Sequence, residues 1–179
     1  LNMDMSKISA GRDLPHDFNC VIEIPAQSDP VKYEVDKESG ALLVDRFIGT
    51  SMRYPANYGF IPQTLGDDGD PVDVCVITPF PLLAGSVIRC RPLGMLLMED
   101  ESGGDMKMLA VPVQKLTPRY NKVNTIEDVP EDLLAQIRHF FEHYKDLEKG
   151  KWAKVSGWTG PEEACKVIMD GVEAYKKAE

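Results

Sequence analysis

Three carboxylates fall within six residues at Asp68-Gly69-Asp70-Pro71-Val72-Asp73. The backbone there is constrained, because Gly69 permits a tight bend and Pro71 fixes φ and removes a donor. Val72, Val74, Val76 and Ile77 read as a buried strand, which carries Asp73 into an apolar setting. Charge in such a setting is costly unless compensated, and several oxygens together suit a hard divalent cation. A bare D-x-D would read as an acidic surface turn. Here a second acidic cluster, Glu99-Asp100-Glu101 with Asp105, surrounds the turn Ser102-Gly103-Gly104. A hairpin at that turn brings Asp100 and Asp105 near one another. The two-residue strand period sets Asp105 and Lys107 on one face. Two acid clusters beside strand ends fit a pair of metal ions, a recurring solution for phosphoryl hydrolysis. The competing reading is two unrelated solvated loops. An EF-hand is excluded by Pro71 and by the lack of a glutamate at the required distance.

Cations on strands complement the acids. Lys32 and Arg46 fall on neighbouring strands of a predicted hairpin, and Lys107 on another strand. Alone, each reads as a solvated side chain. Together they make an anion clamp, the arginine through its bidentate fork and the lysines as point charges. Tyr54-Pro55-Ala56-Asn57-Tyr58-Gly59-Phe60 adds two phenols that composition alone assigns to core packing. Tyr144 and Lys145 read as helix core and helix surface. His139 and His143, four apart, share a helix face, but no zincin acid and no third ligand accompany them, so they read as packing or interface residues. Cys20, Cys75, Cys90 and Cys165 are far apart among apolar neighbours and form no metal spacing. Buried free thiols are the expected state.

The elements that must position these groups divide by periodicity. The first two thirds read as β structure: Phe18 to Ile24, Val31 to Asp36 in clean alternation, Ala41 to Phe47, Val72 to Ile77, Ser86 to Met98 and Asp105 to Val113. Short strands closed by Gly/Pro turns suggest a small barrel. The last third reads as two helices. Leu133, Leu134, Ile137, Phe140, Phe141, Tyr144 and Leu147 form one apolar face, with Pro130 in the first turn and Gly150 following the end. Thr159 and Glu162 have capping-box spacing for the second helix, whose inward face is Ala164, Ile168, Gly171, Val172 and Tyr175.

A length of 179 residues is most simply one domain, 1–179. The net charge of −9 argues against nucleic acid as a partner, since its backbone would be repelled. It also requires local cations or metal if the substrate is an anion. No run approaches the length of a membrane helix. The N-terminus lacks the layout of a signal peptide, so a cytoplasmic protein is expected. Leu1-Asn2 ahead of Met3 leaves open whether these two residues belong to the natural start.

With Val21-Ile22-Glu23-Ile24-Pro25, Lys32-Tyr33-Glu34, Val44-Asp45-Arg46, Tyr54-Pro55-Ala56-Asn57-Tyr58-Gly59, the D-G-D-P-x-D segment and His143-Tyr144-Lys145, the chain resembles the bacterial family I soluble inorganic pyrophosphatases over nearly its whole length. D-G-D-P-x-D is that family's signature. The resemblance implies a mainly β, α+β fold: a five-stranded OB-like closed barrel with two C-terminal helices outside, assembled as a homohexamer of two trimers. It implies Mg²⁺-dependent hydrolysis of pyrophosphate to two orthophosphates by a metal-bridging water or hydroxide. By position, Asp68, Asp73 and Asp105 would hold the first metal, with Asp73 also helping the second. Asp100 and Asp105 would hold metal that arrives with substrate, and Glu23, Glu34 and Glu101 would line the site. Lys32, Arg46, Lys107, Tyr144 and Lys145 would contact phosphate oxygens. Tyr58 would hydrogen-bond near the nucleophile, and Asp70 would be the general base. His139 and His143 would fall at subunit contacts. Phe60 stands where some relatives carry tyrosine. Two other readings stay open: a Mg²⁺-dependent hydrolase of nucleotides or another phosphate ester, disfavoured by the lack of a Walker loop, and an OB-type oligonucleotide-binding module, disfavoured by the acidic charge.

Overall fold

The computed structural model describes residues 3–179; Leu1 and Asn2, the ambiguous start, lie outside the described residues. β1 (Phe18–Ile24) is buried along nearly its whole length, so it needs a partner on each edge to satisfy its amides. It has β4 (Asn57–Phe60) on one side and the first residues of β6 (Val87–Asp100) on the other, both antiparallel. β4 pairs with β5 (Asp73–Val76), β5 runs parallel to β7 (Gly103–Pro112), and β7 returns antiparallel to β6. These pairings close a ring of five strands. The fourteen-residue β6 also takes β8 (Ala153–Thr159) along Met95 to Asp100. Gly94, at the bulge where β6 turns from one neighbour to the other, leaves no room for a side chain: a Cβ would lie 2.2 Å from the Thr159 carbonyl oxygen. β2 (Val31–Val35) and β3 (Leu42–Phe47) stand apart as a two-stranded ribbon with Lys32 directly opposite Arg46.

The strand period explains the two-sided core. Leu96 and Leu109 pack with Ile137, Phe140 and Phe141 of α1 (Glu131–His143) on one side of the ring. Their neighbours Met95 and Met108 pack with Ala164, Ile168 and Val172 of α2 (Pro161–Ala178) on the other. Among the described residues no helix is long and apolar enough to cross a membrane.

Several boundaries differ from expectation. β4 and β8 were not foreseen. The alternation of β2 is interrupted by a bulge after Lys32, and within that strand only Val35 is buried. The β6–β7 turn is Glu101-Ser102 alone, because Gly103 already belongs to β7. α1 stops at His143 with Tyr144 as its C-cap, so Leu147 lies beyond it and is exposed, and Gly150 falls later still. Pro130 is the N-cap of α1 rather than a first-turn residue. Thr159 ends β8 instead of capping α2, whose N-cap is Gly160 with Pro161 next.

Candidate active site

The acidic loop is held from behind. The Asp68 carboxylate accepts the Asp70 amide at 3.0 Å, the Asp70 carbonyl accepts the Gly66 amide at 2.7 Å, and Gly69 takes φ +83°, where glycine is favoured. Buried Thr64 accepts the Val72 amide at 3.1 Å. α2 seats against this loop through Gly171, where a Cβ would stand 3.1 Å from Val72 and 3.3 Å from Thr64. The result is a rigid turn that leaves Asp68 and Asp70 exposed, and neither makes an ion pair among the described residues.

Lys107 occupies the centre. Its ammonium donates to the Tyr58 hydroxyl at 2.7 Å and to Asp73 at 2.8 Å, and lies 3.0 Å from Asp105. The shared face of Asp105 and Lys107 is as expected. Burial works against the charge on Lys107, but Asp73, Tyr58 and Asp105 outweigh it and raise its pKa well above the usual lysine value. Asp105 is pushed up by burial despite its lysine neighbour. Lys107 thus makes two hydrogen bonds and a third close ion contact. Tyr58 packs in an aromatic cluster with Tyr54 and Phe141, and burial raises its hydroxyl pKa. This phenol both packs in the core and accepts a hydrogen bond from the central lysine.

Lys145 forms the second cation–acid group. It lies 3.0 Å from Asp100 and 3.5 Å from Glu101, and it is buried, not the surface lysine that a longer helix implied. Because α1 ends at His143, Tyr144 and Lys145 turn into the cleft. Burial opposes ionisation of Asp100, but the Lys145 bond, the Ser102 amide and the lysine charges together lower its pKa. On the ribbon, Lys32 lies 3.5 Å from Asp45, and Arg46 lies 2.8 Å from Glu148. Glu23 on β1 accepts the Val35 amide at 2.7 Å; burial drives its pKa up to about 7, partly offset by that bond and by Lys37.

All these side chains line one cleft of about 910 Å³: Glu23, Lys32, Glu34, Arg46, Tyr58, Asp68, Asp70, Asp73, Asp100, Glu101, Asp105, Lys107, Tyr144 and Lys145. Every predicted site residue is there except His139 and His143. Those histidines lie with ring centroids 4.6 Å apart, tilted by 45°, on the exposed side of α1, with His143 Nδ1 2.7 Å from Asp146; they do not pack into the core. Glu148 was missed, since its surroundings read as a solvated charge run and give no signal. Asn57 was missed as well: it is fully buried and ties Ala26, Leu82, Val76 and Thr78 together around the start of β4. Among the described residues, no three acid, histidine or cysteine side chains are gathered closely enough to hold an ion as they stand. Lysines stand between the acids, because like-charged carboxylates in a partly buried cleft need cations between them. The donor set is nevertheless carboxylate oxygen throughout, which fits Mg²⁺. A second cavity of about 690 Å³, lined by Met95, Leu97, Met106, Met108 and Val167, adjoins the cleft and shares Asp68, Asp73 and Asp105 with it.

Residues 20–176 match the family model described as inorganic pyrophosphatase. The chain belongs to the inorganic pyrophosphatase family. It is 65% identical over 175 residues to the inorganic pyrophosphatase of Ralstonia nicotianae, covering 98% of this chain and 100% of that protein. The structure of an inorganic pyrophosphatase from Coxiella burnetii superposes with a TM-score of 0.91 at 53% identity, covering 94% of this chain and 99% of that one. The crystal structure of an inorganic phosphatase from Anaplasma phagocytophilum gives 0.93 at 47% identity, covering 95% and 99%.

Proposed function

We propose that this pyrophosphate-hydrolysing hydrolase converts pyrophosphate to two orthophosphates with Mg²⁺ in the acidic cleft. One observation carries the reading: both acid clusters and the lysine–arginine set line the same cleft, with Lys107 and Lys145 bridging carboxylates. Asp68, Asp73, Asp100 and Asp105 would hold the ions, and Glu23, Glu34 and Glu101 complete the acidic lining. When bound, Mg²⁺ supplies positive charge to phosphate oxygens and acidifies the water it holds. Asp70, exposed and held by its own turn, accepts a proton from the attacking water. Lys32, Arg46, Tyr144 and Lys145 donate to phosphate. Lys107, hydrogen-bonded to Tyr58 and Asp73 and paired with Asp105, turns its remaining N–H toward a phosphate oxygen. Tyr58 keeps its proton and donates near the nucleophile. Charge stabilisation of this kind usually contributes most of the rate enhancement in phosphoryl transfer.

The same reading makes residues 1–179 one domain whose five-strand ring is an OB-like closed barrel, working in the cytoplasm, where free thiols such as these persist. It places the chain in a homohexamer of two trimers with the exposed pair His139 and His143 at a subunit contact, which sedimentation at pH 5 and pH 8 would test. The deciding experiment is phosphate release from pyrophosphate with and without Mg²⁺, beside nucleoside triphosphates. Turnover that ignores Mg²⁺, or that prefers triphosphates, would overturn the reading.

A further inference from the structure

Arg46, on β3, reaches across to the segment that follows α1. Its Nη1 lies 2.8 Å from Glu148 Oε1, and the two side chains keep only 23% and 19% of their exposure. Arg46 Nε and Glu148 Oε2 are buried without a hydrogen-bond partner. The pair therefore uses one of the two parallel contacts that a guanidinium and a carboxylate can make. The backbones also converge there, since a Cβ on Gly49 would stand 3.4 Å from Leu147 Cβ. The Glu148 amide donates to the Lys145 carbonyl at 2.9 Å. Glu148 thus rides on the turn that sets Tyr144 and Lys145 into the cleft.

We propose that Glu148 is a positioning residue for pyrophosphate binding, fixing the Arg46 guanidinium over the cleft before substrate arrives. The inference rests on the reading of Arg46 as a phosphate ligand. Arg46 is carried by the β2–β3 ribbon, which forms no strand ladder with the ring sheet and is tied to it by the Val35 amide on Glu23. A long side chain on such an element loses rotamer freedom when it binds phosphate, and that loss weakens affinity. Anchoring one Nη to a fixed carboxylate orders the side chain in advance and leaves other N–H groups of the fork to donate. Glu148 itself touches no substrate. It acts through Arg46.

Steady-state kinetics with Mg²⁺ and pyrophosphate on Glu148→Gln, Glu148→Asp, Arg46→Ala and the Arg46→Ala/Glu148→Gln double variant test this. Glu148→Gln is expected to raise KM about tenfold with kcat within about twofold. Glu148→Asp, which keeps the charge, falls between it and the parent, and the double variant is no worse than Arg46→Ala alone. An unchanged KM in Arg46→Ala would remove Arg46 as a phosphate ligand, and this inference with it. A raised KM in Arg46→Ala leaves that ligand standing and isolates Glu148. In that case an unchanged or lowered KM in Glu148→Gln, a loss confined to kcat, or full additivity in the double variant each overturns the positioning role. Should Glu148→Gln fail to fold, Glu148→Asp alone and combined with Arg46→Ala gives the same comparison.

Discussion

Replacing Lys107 by Met keeps most of the apolar stem and removes only the charge. Three groups then lose their partner at once: Asp73 at 2.8 Å, Asp105 at 3.0 Å and the Tyr58 hydroxyl at 2.7 Å. Asp105 keeps 15% side-chain exposure and Asp73 keeps 26%, so water reaches Asp73 but relieves Asp105 little. Removing one partner of a buried ion pair costs about 3–5 kcal/mol, and the partial exposure of Asp73 places this site near the lower end. A loss of about 3 kcal/mol is a factor of roughly 150 in the folding equilibrium. The sign with pH follows from the carboxylates. Burial already raises the Asp105 pKa against the lowering by Lys107, so losing the ammonium raises it further. The folded variant then holds that proton more tightly than the unfolded chain, so its deficit is large at pH 8 and shrinks as pH falls and Asp105 protonates. Urea unfolding of parent and variant in EDTA at pH 8 and pH 5 reads this directly, and added Mg²⁺ should restore part of the loss at pH 8. A deficit below about 1 kcal/mol at pH 8, typical of an exposed pair, would refute the view that Lys107 is the charge holding the apo cleft together.

Asp73→Asn removes a charge from the proposed metal set and should cut kcat by about 10²–10³-fold, by analogy with losing one oxyanion donor; near-parental turnover would remove Asp73 as a ligand. Glu23, with its pKa raised to about 7 chiefly by burial, holds a proton in the folded state that the unfolded chain releases from about pH 4.5 upward. Stability therefore falls as pH rises through that window, by about 3 kcal/mol in all. Glu23→Gln, which keeps an acceptor for the Val35 amide, should abolish that slope in EDTA; parallel pH profiles for the two proteins would contradict the assignment. Gly59→Ala places a Cβ 1.9 Å from the Val21 carbonyl oxygen, a backbone clash at the β1–β4 pairing, and should cost more than about 4 kcal/mol or prevent folding. A melting temperature within a few degrees of the parent would show that β1 can move aside.

What the sequence revealed follows from how local each signal is. β1, β6 and β7 announce themselves by apolar runs and turns, and the two-residue period alone places Asp105 beside Lys107. The Lys32–Arg46 pairing needs only a hairpin. β4 was hidden because Asn57 to Phe60 is wholly buried and so shows no alternation, while Pro55 and Gly59 resemble turn residues. Gly59 is there because the neighbouring strand leaves no space for a side chain. β8 was hidden because Lys154, Ser156 and Gly157 look like loop, and its identity comes from the free edge of β6. The position of Lys145 depended on α1 ending at His143, although the apolar spacing continues to Leu147. Glu148 required a contact between residues about a hundred positions apart, which no local pattern encodes. Among the candidate site residues, those whose positions depended on strand period were legible, and those whose positions depended on where a helix stops were not.

β7 is a partition one strand thick. Lys107 lines the cleft, Met106 and Met108 line the methionine-rich cavity behind, and Asp105 borders both. Since both surfaces hang on one backbone, a change of volume at buried Met108 displaces carboxylate oxygens on the far side. Met108 is also core, packed with Ala164 and Ile168 of α2, so such a change weakens the fold as well as shifting geometry at the chemistry. The tolerance of that cavity to mutation is therefore set by folding and turnover together, and hydrophobic drift behind the wall is bounded by what the front of the wall can bear.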